Sequence, residues 1–295
     1  MRRSMAFYGK GGVGKSTVVS NLTTALAHMG RQVLQVGCDP KRDSSRNLVK
    51  VFPPITLMEL LAEGRKDLVP EDIVMDGGTN IDCIEVGGPK PGVGCAGRGL
   101  GRLFEELEDM ELLERDYDYV FYDVLGDVVC GGFAVPMRSG YAEEVYVVTS
   151  GEFMSLYAAN NIARGIQNYA EDGDVRMGGL IANVKDLEYD KPLIEAFAKR
   201  IGTHVVSYLE WNKVVYDAER RRTTVLRHAP EHPFAQRWLD LAKNLEQTPR
   251  PHIPTPMADA ELDVFLEELF GFSDAPAAIG CDVSDAPKTL SLQRH

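Results

Sequence analysis

Nine consecutive residues, Gly9-Lys10-Gly11-Gly12-Val13-Gly14-Lys15-Ser16-Thr17, constrain this chain more than any others. They follow the short apolar run Met5–Tyr8 and precede a helical pattern over Val18–Met29. Strand, glycine-rich turn and helix form the setting in which such a motif cradles phosphate. The glycines let the backbone close around an anion where a Cβ would collide with phosphate oxygens or forbid the dihedral angles. N–H groups at the start of the following helix then face the anion. Lys15 is expected to reach the β- and γ-phosphates and the Ser16 hydroxyl to ligate Mg²⁺. Gly9 to Thr17 therefore read as a site for ATP or ADP.

Lys10 comes straight after the first glycine, where it can project away from its own loop. The pattern resembles the deviant P-loop ATPases, dimeric switches in which this lysine reaches the nucleotide of the partner subunit.

A chain of 295 residues can bury a substantial core, and one α/β domain of this size is ordinary. The formal charge of -12 argues against a general nucleic-acid-binding surface. No apolar run approaches the ~18 residues of a membrane span, and the N-terminus lacks a signal-peptide core. The expectation is a cytoplasmic protein without a membrane or nucleic-acid partner. Its five cysteines are too few and scattered for a disulfide framework and read as thiols or metal ligands.

Gln32–Gly37 reads as a second buried strand, ending in Cys38-Asp39-Pro40-Lys41-Arg42-Asp43-Ser44-Ser45. Doubly wound sheets place ligands at such strand ends. Asp39 is then positioned to orient an attacking water and Asp43 to hold Mg²⁺, directly or through water. A turn with capping Asp and Ser residues explains the same letters equally well. Cys38 reads as a small core residue. Residues 53–82 suggest a helix around Leu57–Glu63 followed by acidic turns. From Glu85 to Gly99 the density of glycine and proline around Cys95 predicts a loop, with a helix over Leu100–Leu113 after it.

Tyr117–Tyr122 is an apolar strand delivering Asp123, the expected place of a carboxylate that holds Mg²⁺ through water. A few residues later the same run reaches Cys130, set among glycines. Cys95 and Cys130 are far apart and neither belongs to a CxxC pair. Two thiolates per chain are half the four that a [4Fe–4S] cluster normally takes, and a symmetric dimer would supply four. Two buried structural thiols remain the alternative on spacing alone.

Taken together, GKGGVGKST, GCDPKRDSS, GGPKPGVGCAGRG, DVLGDVVCGGFAVP and the YAANN of Tyr157–Asn161 resemble the nitrogenase iron protein family, from about residue 4 to about 245. The resemblance implies a homodimeric, ATP-hydrolysing electron donor with one subunit-bridging [4Fe–4S] cluster on Cys95 and Cys130. It implies Lys10 as the cross-subunit lysine, Lys15 and Ser16 on phosphate and Mg²⁺, and Asp39 and Asp127 as hydrolytic and switch residues. Asp43 and Asp123 would serve the metal, Asn183 the adenine, and Arg98 and Phe133 would flank the cluster. In some members the arginine matching Arg98 is ADP-ribosylated. The implied partners are a larger nitrogenase-like catalytic component and an upstream reductant of ferredoxin or flavodoxin type.

Further strands are expected at Glu144–Thr149, Val175–Asn183 and Val205–Leu209, with a helix over Leu156–Tyr169. The alternation predicts an α/β fold, a single P-loop NTPase domain over residues 1–247 with a mostly parallel sheet and helices on both faces. A C-terminal extension over 248–295 would carry one helix, Asp259–Phe270, and a tail with Cys281. Glu219-Arg220-Arg221-Arg222 reads as a solvated helix face, with docking as the minority reading. One departure stands out: the family commonly shows Pro-Arg-Asp-Asn after the last strand, where this chain has Glu210-Trp211-Asn212-Lys213. Trp211 there would either stack on the base or cap the core. That loop and the long tail favour a nitrogenase-like reductase, such as that of methylthio-alkane reductase, over nitrogenase reductase itself. An iron–sulfur carrier ATPase and a partitioning-type ATPase are the other classes compatible with the P-loop.

Overall fold

The computed structural model describes residues 2–88, 96–124, 126, 134–138, 140–171, 173, 175–248 and 251–271. Apolar runs build the centre. The first half runs β1 (Arg3–Tyr8), α1 (Lys15–His28), β2 (Val33–Gly37), α2 (Leu57–Ala62), α3 (Pro70–Ile73), β3 (Met75–Asp76) and β4 (Ile81–Glu85). It continues through α4 (Ala96–Asp109), β5 (Tyr119–Asp123), α5 (Val135–Arg138), β6 (Glu144–Thr149) and α6 (Phe153–Ala170). The remainder is β7 (Arg176–Val184), α7 (Leu187–Arg200), β8 (Val205–Glu210), α8 (Lys213–Arg220), α9 (Val225–His228), α10 (Pro233–Gln247) and α11 (Asp259–Phe270). Among the described residues no helix is long and apolar enough to cross a membrane.

The eight strands form one sheet in the order β3-β4-β2-β5-β1-β6-β7-β8. Every pairing is parallel except that of β3 with β4. β1 lies between β5 and β6, so the loop that follows it opens at the middle of the sheet's C-terminal edge. Alternate strand residues face opposite ways. Phe7, Phe121, Tyr146 and Val148 pack with Val18 and Leu22 of α1 and with Trp238 and Leu241 of α10. Tyr122, of the other parity, meets Phe104 of α4 with ring centroids 5.4 Å apart. Helices therefore cover both faces, which is why the strands read as continuous apolar runs.

Two stretches depart from expectation. The segment predicted as acidic turns holds β3 and leads into β4, whose Asp82 interrupts the apolar run. That carboxylate accepts from the Tyr117 hydroxyl at 2.5 Å, a long-range partner that lets it sit in the sheet. Helix α4 starts at Ala96 rather than Leu100. Its first turn can carry glycines because the N–H groups there lack intrahelical partners anyway.

A buried polar layer fastens the loop after β2 to the sheet. Gln35 accepts from Thr23 Oγ1 at 2.7 Å and donates to the Ser44 carbonyl at 3.0 Å. The backbone N–H and hydroxyl of Ser45 both donate to Glu85 Oε1 at 2.6 Å. A Cβ on Gly37 would lie 2.1 Å from Glu85 Oε2, so only glycine leaves room for this carboxyl. Glu85 is fully buried, its Oε2 has no partner, and burial pushes its pKa up from 4.5 to about 8 against the lowering effect of the Ser45 bonds.

The chain divides into two compact units after Met257. In the first, residues before that point are strapped down: His252 and Met177 exchange backbone hydrogen bonds of 3.1 and 2.7 Å. Buried Asn160 of α6 then reads both sides of Met257, donating to its carbonyl at 3.0 Å and accepting from its N–H at 2.9 Å. In the second unit α11 begins with Asp259 and Glu261, which suit the positive end of the helix dipole, and stops at Gly271 with φ 74°.

Replacing Asn160 by Ala leaves the Met257 amide unpaired and should cost about 2 kcal/mol. Hydrogen exchange at the His252 amide should speed up in the variant, and unchanged protection there would refute the strap. Glu85 binds its proton more tightly folded than unfolded, so its contribution falls as pH rises from about 4.5 to about 8. The stability of Glu85→Gln relative to wild type should therefore climb across that window, by up to about 1.4 kcal/mol per pH unit. A flat difference in denaturant titrations between these limits would contradict a buried neutral acid.

Candidate nucleotide site

β1 delivers the chain to Gly9 at φ 153°, and a Cβ there would stand 2.3 Å from the Val148 carbonyl oxygen. Gly14 has φ 92°, and a Cβ on it would meet Asn183 Nδ2 at 2.4 Å. The two glycines thus let the loop pass between β6 and the end of β7. Inside the turn the Val13 N–H donates to the Lys10 carbonyl at 3.1 Å, and the Val18 N–H to the Gly14 carbonyl at 2.9 Å. Helix α1 opens with Lys15, Ser16 and Thr17, so its free N–H groups face the concavity made by Gly11 to Gly14.

Lys15 is buried and its ammonium is ion-paired with Asp123 Oδ1 at the end of β5. Asp123 Oδ2 is equally buried and has no partner. Asp39 is buried and accepts from the Lys41 N–H at 2.9 Å, with the Lys41 ammonium 3.6 Å from its other oxygen. Asp43 Oδ1 is buried and unpartnered, and desolvation, with Asp39 and Asp123 nearby, pushes its pKa up. Carboxylates that repel one another beside two orphaned oxygens fit a hydrated divalent cation. Among the described residues no three His, Cys, Asp or Glu side chains are grouped to hold a metal unaided. The Ser16 hydroxyl, phosphate oxygens and water would have to complete an octahedral Mg²⁺ shell.

Asn183, at the end of β7, donates to the Val13 carbonyl at 2.8 Å and so braces the loop from behind. Beside it lies a cavity of about 200 Å³, lined by Gly14, Thr17, Asn183, Tyr216, Glu219 and Phe234 among others. Trp211 stands on its rim with the residue 68% exposed, so it does not cap the core; Trp238 does that. Glu219 corrects the reading of a solvated face: its carboxylate takes the Thr17 hydroxyl and lines the cavity.

Lys10 lies 4.0 Å from Glu152 Oε2, and Lys185 holds the other oxygen of that carboxylate at 2.7 Å. Glu152 carried no motif. Cys95, Asp127, Cys130, Phe133 and Cys281 lie outside the described residues, as does the side chain of Arg98. The described cysteines, Cys38 and Cys83, are free, and burial pushes both thiols well up. Sequence reasoning thus selected side chains that converge on one edge in Lys15, Asp39, Asp43 and Asp123.

The same fold occurs in solved structures. The MinD cell division protein of Aquifex aeolicus is 20% identical, covering 85% of this chain and 99% of its own, with a TM-score of 0.64. The septum site-determining protein MinD from Pyrococcus horikoshii OT3, solved with Mg-ADP, is 22% identical over 84% of this chain and 97% of its own, at 0.65. A ParA family ATPase from Chlorobium tepidum TLS is 18% identical over 82% and 98%, at 0.61. The sequence itself is more specific. Residues 3–271 match the family described as 4Fe-4S iron sulfur cluster binding proteins, NifH/frxC family, and the chain belongs to that family.

Proposed function

We propose that this protein is an ATP-driven electron donor that works as a homodimer and passes electrons to a nitrogenase-like reductase partner. The observation that carries the reading is the phosphate loop of a NifH/frxC-family chain in which Lys15 is clasped by Asp123, at the root of the segment leading to Cys130. Lys15 would leave Asp123 for the β- and γ-phosphates when ATP enters. Asp123 and Asp43 would then face Mg²⁺ through water, with Ser16 as a direct ligand. Mg²⁺ supplies charge neutralisation on the phosphates when bound. Asp39 holds the attacking water, which bonds to the γ-phosphorus as the bond to the ADP oxygen breaks; its proton leaves with the phosphate. Lys10, half-buried beside Glu152, would reach the partner subunit's nucleotide, and Asn183 and Glu219 bound the base cavity.

Cys95 and Cys130 are assigned to the bridging [4Fe–4S] cluster, which supplies a one-electron store. Asp127 is assigned to the switch between metal and thiol, and Arg98 to the rim around the cluster. The departure at 210–213, with Trp211 exposed beside the base cavity, supports a partner other than nitrogenase proper, such as a methylthio-alkane reductase. The likeness to MinD and ParA structures supports a second reading, a partitioning-type ATPase that uses the same Lys10 and Lys15 without iron.

Purified anaerobically, the protein should be a brown dimer with about four irons. Cys130→Ala should lose the iron while binding MgADP as wild type does. A colourless dimer that hydrolyses ATP would instead favour the partitioning class, and a variant that keeps its cluster would overturn the ligand assignment. Lys10→Ala should bind MgATP within a few-fold of wild type yet turn it over at least about tenfold more slowly, since ~1.4 kcal/mol of transition-state stabilisation is a factor of ten. Equal turnover in steady-state assays would remove Lys10 from the mechanism.

A further inference from the structure

At the edge of the sheet opposite the phosphate loop, a cleft of about 680 Å³ opens between the end of α1, the turn joining β3 to β4, and α9. The cleft's lining on α1 begins at Thr24, about 14 Å along the helix from Lys15. Arg227 of α9 forms its wall. The Arg227 Nη1 donates to the Leu48 carbonyl at 3.1 Å, and Nη2 donates to the Gly77 carbonyl. Gly78, at φ 99°, makes room: a Cβ there would sit 2.8 Å from Nη2.

Two carbonyls orient this guanidinium but leave its charge uncompensated. The residue is exposed overall, yet enough of the head is withdrawn from water that desolvation holds its pKa below the ordinary arginine value. Asp76 is close enough to oppose that shift, but its Oδ1 accepts from the Gly78 N–H at 2.7 Å and it forms no ion pair with Arg227. Lys50 and His28 also line the cleft, both exposed and, among the described residues, without an ion-pair partner. On a chain of formal charge -12, two cationic side chains, Arg227 and Lys50, against one carboxylate, Asp76, make a local positive site. A desolvated cation held by backbone dipoles gains most from a ligand that brings its own oxyanion.

We propose that this cleft binds a small multivalent oxyanion, phosphoryl or polycarboxylate, through Arg227 and Lys50, independently of the nucleotide site. Arg227 keeps guanidinium donors beyond the two spent on the Leu48 and Gly77 carbonyls, and Lys50 lines the same cleft. The volume exceeds a single phosphate and leaves room for a small organic skeleton.

Isothermal titration of the full-length protein with inorganic phosphate and with tricarballylate, with and without saturating MgADP, tests this. At least one probe should bind with a Kd of about 1 mM or tighter, alike in both conditions and more weakly as salt rises. The preferred probe assigns the ligand as phosphoryl or carboxylate. Arg227→Gln and Lys50→Gln should each weaken binding about tenfold. Lys50 makes no structural bond among the described residues, so its variant stays informative if Arg227→Gln unfolds. Binding that MgADP abolishes, binding that neither variant weakens, or no binding of either probe would each overturn the proposal.

Discussion

The ion pair between Lys15 and Asp123 organises everything around it. A buried ammonium and a buried carboxylate are each costly to take from water, and the attraction between them offsets that only in good geometry. Here one oxygen of Asp123 is left without any partner, so the pair is incompletely satisfied. A phosphate oxygen would give Lys15 a second acceptor, and a hydrated cation would give Asp123 the donors it lacks. The side chains at this edge thus leave acceptor and donor needs of both signs, and a magnesium nucleotide is the kind of ligand that meets both.

That pair also explains why the polar layer beneath it is so closely bonded. The loop after β2 must keep Asp39 and Asp43 close to Asp123 although like charges repel. Gln35, Ser44, Ser45 and Glu85 hold it through buried hydrogen bonds of 2.6 to 3.0 Å. A neutral Glu85 adds no fourth negative charge to the cluster, which is the physical sense of burying it with one free oxygen. Glu85 also ends β4, so the loop's anchor stands at the end of the strand from which the chain runs on toward Cys95.

How far this was legible follows from what each residue's role depends on. The phosphate loop was readable because its chemistry demands particular letters at fixed spacing, and the glycine angles at Gly9 and Gly14 agree with that demand. The parallel sheet was readable from apolar runs that need cover on both faces. β4 escaped because Asp82 interrupts its pattern, and its partner Tyr117 is 35 positions away in sequence. Glu219 and Glu152 escaped for a similar reason: only the folded register shows that one faces Thr17 and the other Lys10. Asn160, inside the YAANN stretch, turns out to hold the backbone of Met257, a role with no local signal at all.

The sheet's polarity carries the last step. Because β4, β2, β5 and β1 are parallel neighbours, their C-terminal ends share one edge, and each delivers a different part there: Glu85, the Asp39–Asp43 loop, Asp123 and the phosphate loop. The segments toward Cys95 and Cys130 leave from β4 and β5, on either side of β2, so the loop carrying Asp39 and Asp43 stands between the two roots. Lys15 is ion-paired with Asp123 at the root of one, and Ser45 donates twice to Glu85 at the root of the other. The edge on which the phosphate loop opens is therefore bonded to the roots of both segments, through Lys15 to Asp123 and through Ser45 to Glu85.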